Sequence, residues 1–319
     1  MEKRTDYSEK DELWLVERLR RESPDLHNRF RSSLTVIFNM SDHYQRLFPH
    51  FSDHSILHAL NVTRYVDLLA CHAENQMSVA DCYILLMAVY LHDIGMCVNS
   101  QQLEEYRDQI DMSDYRRGLL LDDTADLVRT YHHELSACVI NKFWSLFEIP
   151  DEEYAAYIAQ VAKGHRKTDL ADRVKYPNEA RMKDGELVHP CWLAALLRLG
   201  DECDMAADRN PEIIYDSSYY CESADNPIGS MFFETIASIR YVSIKPDLIE
   251  VMTDPLEGNR LEQVKTMVEE LRSKMDYCKS VLQDTPFSII QKQIVINSFI
   301  DERPGNMTQN SLNSALIDR

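Results

Sequence analysis

The sequence predicts a mainly α protein: a helical bundle with an amino-terminal helical extension and a small carboxy-terminal α+β module. Three observations carry that expectation. Glycine and proline are scarce, eight and eleven in 319 residues, about half their usual combined share of roughly 12%. The turns that all-β folds consume are therefore missing. Apolar residues recur with a helical period over most of the chain as far as about residue 210. Beyond that point the period falls toward two, in SIRYVSI, LIEVMT and IIQKQIVINSF.

Taken in order, residues 8–21 and 25–47 alternate charge with Leu, Val, Ile and Phe at helical spacing, and Ser23-Pro24 is a stop and restart. They form the extension, residues 1–50. A second domain, 51–210, is read from helices at about 54–74, 79–92, 123–147, 151–164 and 189–207. Between them, 97–122 and 166–188 are polar and irregular, with the composition of lids, binding loops or solvated connectors. The module, 211–300, holds strands at Ser238–Ile244, Leu248–Thr253 and Ile289–Phe299, with Lys245-Pro246-Asp247 as the first turn. An amphipathic helix carrying Leu261, Val264, Val268, Leu271, Met275, Cys278 and Leu282 precedes the third strand. The polar tail, 301–319, is expected to be loose.

Composition bounds function. Apolar residues are 45%, charged residues 27% and mean hydropathy −0.38, values of a globular chain and not of a disordered or membrane-embedded one. With 53 acidic against 34 basic residues the formal charge is −19. Phosphate backbones and anionic lipid repel such a chain unless its cations cluster, so neither a nucleic acid polymer nor a membrane surface is the expected main partner. No run approaches the eighteen or so apolar residues of a membrane span. Eight cysteines without a Cys-x-x-Cys pair read as reduced thiols, and with no targeting segment in view the expected location is cytoplasmic.

Five short segments carry chemistry. In Asp53-His54-Ser55-Ile56-Leu57-His58, the two histidines are four apart and share one helix face; they suit a metal and a substrate together, or equally stand as surface histidines. Leu91-His92-Asp93-Ile94-Gly95 ends the apolar run YILLMAVYL. A buried His-Asp pair is costly unless it is paired or binds a cation, the alternative being an Asp cap with His in solvent. His132-His133 lies within RTYHHELSA, where Leu127, Tyr131, Leu135 and Cys138 mark the apolar stripe. At about 100° per residue His132 falls roughly 70° from its centre and His133 roughly 170° away, so His132 is expected inward and His133 in solvent. His165 sits in VAKGHRKTD, flanked by Lys163, Arg166 and Lys167. Asp201, Asp204 and Asp208 recur at three and four in LLRLGDECDMAADR, sharing a face.

This ordered set, His58, His92-Asp93, His132, His165 and Asp201, resembles the HD superfamily of metal-dependent phosphohydrolases over about residues 51–210. His58 with Val62, the doublet in Leu91–Gly95, and Arg198-Leu-Gly-Asp201 through Asp204 and Arg209 each resemble a motif of that family; together they are far more specific than singly. His132 and His165 match the extra histidines of its two-metal members. FSDHSILHALNV is also similar to bacterial HD-type domains of larger conflict or stress systems. The HD-GYP class differs: it carries Lys after His-Asp-Ile-Gly and a Gly-Tyr-Pro element, whereas this chain has Met96 and no such element. Cyclic di-GMP is not the favoured substrate.

The resemblance implies an HD-domain bundle with two divalent metal ions, Mn or Fe favoured by a ligand set of imidazole and carboxylate without cysteine, and Mg admissible at the second position. It assigns His58, His92, Asp93 and Asp201 to one ion, Asp93 as the bridge, and His132 and His165 to the other. His54 is spaced like the leaving-group acid of cyclic nucleotide phosphodiesterases, though its neighbours differ. Catalysis would rest on His54 and Asp93. Lys163, Arg166, Lys167 and Arg209 are candidates for the phosphates of a small nucleotide substrate, and the charges around His165 read equally as a solvated loop face. The implied activity is hydrolysis of a phosphate ester through a metal-activated water. The alternative is a nucleotide-sensing or regulatory module that docks an associated protein, or a second copy, through the carboxy-terminal piece.

Overall fold

The computed structural model describes residues 13–41, 56–110, 112, 123–207 and 235–298. They fall into two compact units. One runs to Asp204 and takes in Ser273–Ile289; the other comprises Met205–Arg272 and the chain from Ile290 onward.

The first unit is built of helices α1 (Trp14–Glu22), α2 (Pro24–Ser41), α3 (Ile56–Ala70), α4 (Val79–Leu91), α5 (Ser100–Tyr106), α6 (Asp123–Phe143), α7 (Glu152–Lys163) and α8 (Pro190–Cys203). A two-stranded hairpin, β1 (Ala180–Arg181) with β2 (Leu187–Val188), precedes α8. The mainly α class with a small α+β module is therefore the observed one. α4 is the central element: Ala80 through Val89 and Leu91 are buried, and α1, α2, α3, α7 and α8 pack against it. Such a helix has no polar face to show solvent, which is why its sequence carries little amphipathic periodicity. Val79–Cys97 is long and apolar enough to meet a membrane-span criterion, contrary to the expectation that no run comes near it, but 94% of that window is buried inside the fold.

Buried polar groups fix how the helices meet. Ser78 caps α4 by accepting from the Asp81 N–H while Asp81 accepts from the Ser78 N–H, a reciprocal capping box. The same Asp81 carboxylate also accepts from the backbone N–H and the Nδ1 of His189, which caps α8, at 2.9 and 2.7 Å. One fully buried carboxylate thus joins the starts of two core helices. α8 also lies directly against α3: a Cβ on Gly200 would sit 2.6 Å from Val66 Cγ2, a distance only glycine permits. Trp192 of α8 stacks on Phe287 at 4.0 Å.

One segment read as irregular is helical. In Asn99-Ser-Gln-Gln102 the Asn99 side chain accepts from the Gln102 N–H and Gln102 closes the box, so α5 starts there and buries Leu103 and Tyr106. Three-residue spacing of two apolar side chains was too little signal against so polar a background.

In the second unit, β3 (Ile239–Ile244) and β4 (Leu248–Thr253) form the antiparallel hairpin expected around Lys245-Pro246-Asp247, and β5 (Gln293–Ser298) joins β4 in parallel. The parallel return needs a crossover. The helix α9 (Gly258–Leu282) supplies it, burying Val264, Val268 and Leu271 before its last turns join the first unit.

The amino-terminal extension is tied down at Asp67 of α3. Its carboxylate accepts from the Leu15 N–H at 2.9 Å and its carbonyl from Trp14 Nε1 at 2.7 Å. Burial raises this carboxyl from the ordinary 3.8 to about 6, although the hydrogen bonds oppose the rise. The folded state then binds a proton more tightly than the unfolded state. Stability therefore falls as pH climbs from about 4 to about 6, by on the order of 2–3 kcal/mol, and is level above. Denaturation midpoints measured across that window should show this slope in the wild type and lose it in Asp67→Asn, which keeps an acceptor for Leu15.

Candidate metal centre

Three helices, and the turns that end two others, bring six of the sequence-identified residues together. His58 comes from α3, His132 from α6 and Asp201 from α8; His92-Asp93 follows the last turn of α4, and His165 the last turn of α7. Placing ligands just beyond helix ends lets the backbone turn inward. Gly95 is what allows the doublet to approach α6: a Cβ there would strike the His132 carbonyl oxygen and lie 2.6 Å from Ser136 N. Ser136 completes the clamp, accepting from the Gly95 N–H at 2.9 Å and donating to the His92 carbonyl at 2.5 Å.

The residues form two groups that share Asp93. On one side His58 and His92 direct Nε2 at Asp93 Oδ2 from 3.5 and 3.3 Å, and Asp201 Oδ1 lies 3.2 Å from His58 Nε2 and 3.7 Å from His92 Nε2. On the other, His132 and His165 direct Nε2 at Asp93 Oδ1 from 3.2 and 3.6 Å. His58, His92 and Asp93, and again Asp93, His132 and His165, lie close enough to share a cation. The four imidazole side chains are 1–2% exposed and Asp201 18%, so the cluster opens to solvent on its carboxylate side.

Tautomers decide what the cluster needs. Nδ1 of His92, His132 and His165 lies 2.7, 2.7 and 2.6 Å from the carbonyls of Val89, Arg129 and Ala162. A carbonyl only accepts, so each Nδ1 carries a proton, and in the neutral ring Nε2 is left with the lone pair. His58 is fixed likewise by Asp204 Oδ2 at 2.6 Å. Yet Nε2 of His58 faces Nε2 of His92 at 3.1 Å, and Nε2 of His132 faces that of His165 at 3.0 Å. Two acceptors at that distance repel unless a proton or a metal cation lies between them. This is the observation of fit: the donor set is arranged for positive charge.

Protons satisfy it only in part. Burial opposes a charged His92, but the Asp93 and Asp201 carboxylates outweigh burial and hold it well above the ordinary imidazole range. Burial, with the charges of His92 and His132, holds His165 well below that range. The imidazole groups of His58 and His92 overcome burial and hold the Asp201 carboxyl well below its ordinary range.

Asp204, read from sequence only as a neighbour on the Asp201 face, orients His58; Asn61 Nδ2 donates to its other oxygen at 3.0 Å. A small cavity beside His58, His92 and Asp93 is walled by Ile37 and Ser41 of α2, so the extension reaches the site. His133 corrects an expectation. It is 4% exposed, not in solvent, and its Nδ1 makes no hydrogen bond. Burial, reinforced by His132, Arg166, Lys163 and Lys167, pushes it down to about 2. Of the basic candidates, Lys163 pairs with Glu134, whereas Arg166 and Lys167 have no ion-pair partner among the described residues. His54 and Arg209 lie outside the described residues.

A buried histidine–aspartate cluster of HD type on a mainly helical bundle defines the class. A family model described as HD-CE matches residues 48–250, well over half of the chain, and the protein belongs to that family. No curated protein matches it.

Two outcomes follow for metal binding. Asp204→Ala frees the His58 ring and should weaken Mn²⁺ binding about 10- to 100-fold by titration calorimetry; unchanged affinity would deny Asp204 its orienting role. Because His92 holds a proton that a metal displaces, binding should release protons and tighten as pH rises, seen as a buffer-dependent binding enthalpy.

Proposed function

We propose that this protein is a two-metal phosphohydrolase or phosphodiesterase that cleaves a phosphate ester of a small nucleotide. The observation that carries the reading is the pair of imidazole groups, with tautomers locked, on opposite oxygens of one aspartate. His58, His92, Asp93 and Asp201 would hold one divalent ion, and Asp93, His132 and His165 the other, with Mn or Fe favoured and Mg admissible at the second. When bound, such ions supply Lewis acidity, acidifying water and offsetting charge on the phosphoryl group.

The chain's own residues do the rest. Asp204 and the three backbone carbonyls keep the rings from rotating, so little reorganisation is left for the moment of reaction. Burial of the imidazoles keeps bulk water from the ligand side, while the partly exposed Asp201 leaves the approach open. Arg166 and Lys167, cationic in a chain of net charge −19, offer charge-assisted hydrogen bonds to the substrate's remaining phosphates, and Lys163 joins them when released from Glu134. His54 is the candidate donor of a proton to the leaving oxygen, and Arg209 a further phosphate contact.

The test is incubation with Mn²⁺ and a panel of nucleoside triphosphates, cyclic mononucleotides and cyclic dinucleotides, reading products by liquid chromatography. Turnover should require the metal and vanish in Asp93→Ala. Arg166→Ala and Lys167→Ala should each raise KM about tenfold or more with kcat little changed, the loss of one charge-assisted contact. Metal-loaded protein that turns over nothing on the panel would instead favour a nucleotide-sensing module.

A further inference from the structure

Arg198 lies on α8 one turn before Asp201, 5% exposed, and its hydrogen bonds reach no carboxylate. A buried guanidinium that pairs directly with no carboxylate is expensive, so its placement calls for a geometric reason. Its partners supply one. Nε donates to the Gly164 carbonyl at 2.9 Å and Nη2 to the Thr168 carbonyl at 2.6 Å. These carbonyls bracket His165, Arg166 and Lys167.

The bracketed turn is not a relaxed one. Lys167 has φ 39°, a left-handed conformation that a lysine holds only where its surroundings impose it. The turn is pressed onto α8 as well, since a Cβ on Gly164 would lie 2.6 Å from Ala194 Cβ. On its outer side the guanidinium lies 5.1 Å from the centre of the Tyr277 ring. The Tyr277 hydroxyl accepts from the Leu170 N–H at 2.7 Å and donates to Asp169 Oδ1 at 2.9 Å. Arg198 and Tyr277 therefore hold Gly164 before His165 and Thr168, Asp169 and Leu170 after it.

We propose that Arg198 is a positioning residue for His165. Its planar fork spans both ends of the 164–168 turn, setting the His165 ring against His132 and Asp93 and leaving Lys167 exposed. Lysine cannot replace it, because one ammonium on a flexible stem does not hold two carbonyls at fixed separation. The placement of the ring stands on these contacts alone; its consequence for a second metal rests on the function proposed above.

The experiment uses the full chain, metal-free, treated with diethylpyrocarbonate, with the modification rate of each histidine read by peptide mass spectrometry. His165 should react slowly in the wild type and about tenfold faster in Arg198→Lys, a local opening, with His58 and His92 rates and the melting temperature unchanged. Tyr277→Phe, which leaves Arg198 in place, should give a smaller rise at His165 alone. Unchanged protection of His165 in Arg198→Lys would overturn the proposal. So would equal acceleration at every buried histidine with a lowered melting temperature, which would make Arg198 a support of the fold at large. Parallel Mn²⁺ titrations separate the two readings: two ions in the wild type and one in Arg198→Lys is the expected result. Wild-type protein that takes up none would sink the metal reading while the His165 rates still decide the role of Arg198.

Discussion

The contact on which the site depends is an unfavourable one: two pairs of imidazole nitrogens, each with its lone pair fixed toward the other, closed to hydrogen-bond distance inside the protein. Nothing in the pairs attracts while both rings are neutral. They persist because four Nδ1–H groups are committed to acceptors behind the rings, and because one carboxylate lies between the pairs with an oxygen for each. Positive charge is what such an arrangement lacks, and a buried site has few ways to obtain it.

The bundle is organised around that need. α4 is apolar on every side, so it can end deep in the core and deliver His92-Asp93 there without a polar flank. Close helix contacts at Gly95 and Gly200 bring α6 and α3 near enough for their histidines to meet the doublet and Asp201. Asp81, joining the starts of α4 and α8, sets the relation between the helix that ends at the doublet and the helix that carries Asp201. Fold and site therefore share their supports.

Much of this was legible in the chain, because the informative features are local. The apolar run before His92-Asp93 announced burial, strand alternation marked β3 and β4, and helical phase put His132 on the inner side. The same phase argument misplaced His133, since it weighs only the residue's own helix. Cover from other elements decides burial: α7 packs against α6, and the His165 ring after it lies edge-on to His133. Distance along the chain hid the supporting contacts. Asp204 and His58 are 146 residues apart, and Arg198 reaches carbonyls 34 and 30 residues away, bonds to backbone that leave no trace in residue identity. The reach of α2 to the cavity beside the doublet was hidden in the same way.

The central claim is that the two facing imidazole pairs are sites for cations and not pairs held by shared protons. Crystals grown with Mn²⁺ and measured at the manganese absorption edge test it directly. The account predicts two anomalous peaks flanking Asp93, one among His58, His92 and Asp201 and one between His132 and His165. Absence of both peaks, with each pair of Nε2 atoms still near 3 Å apart, would contradict it.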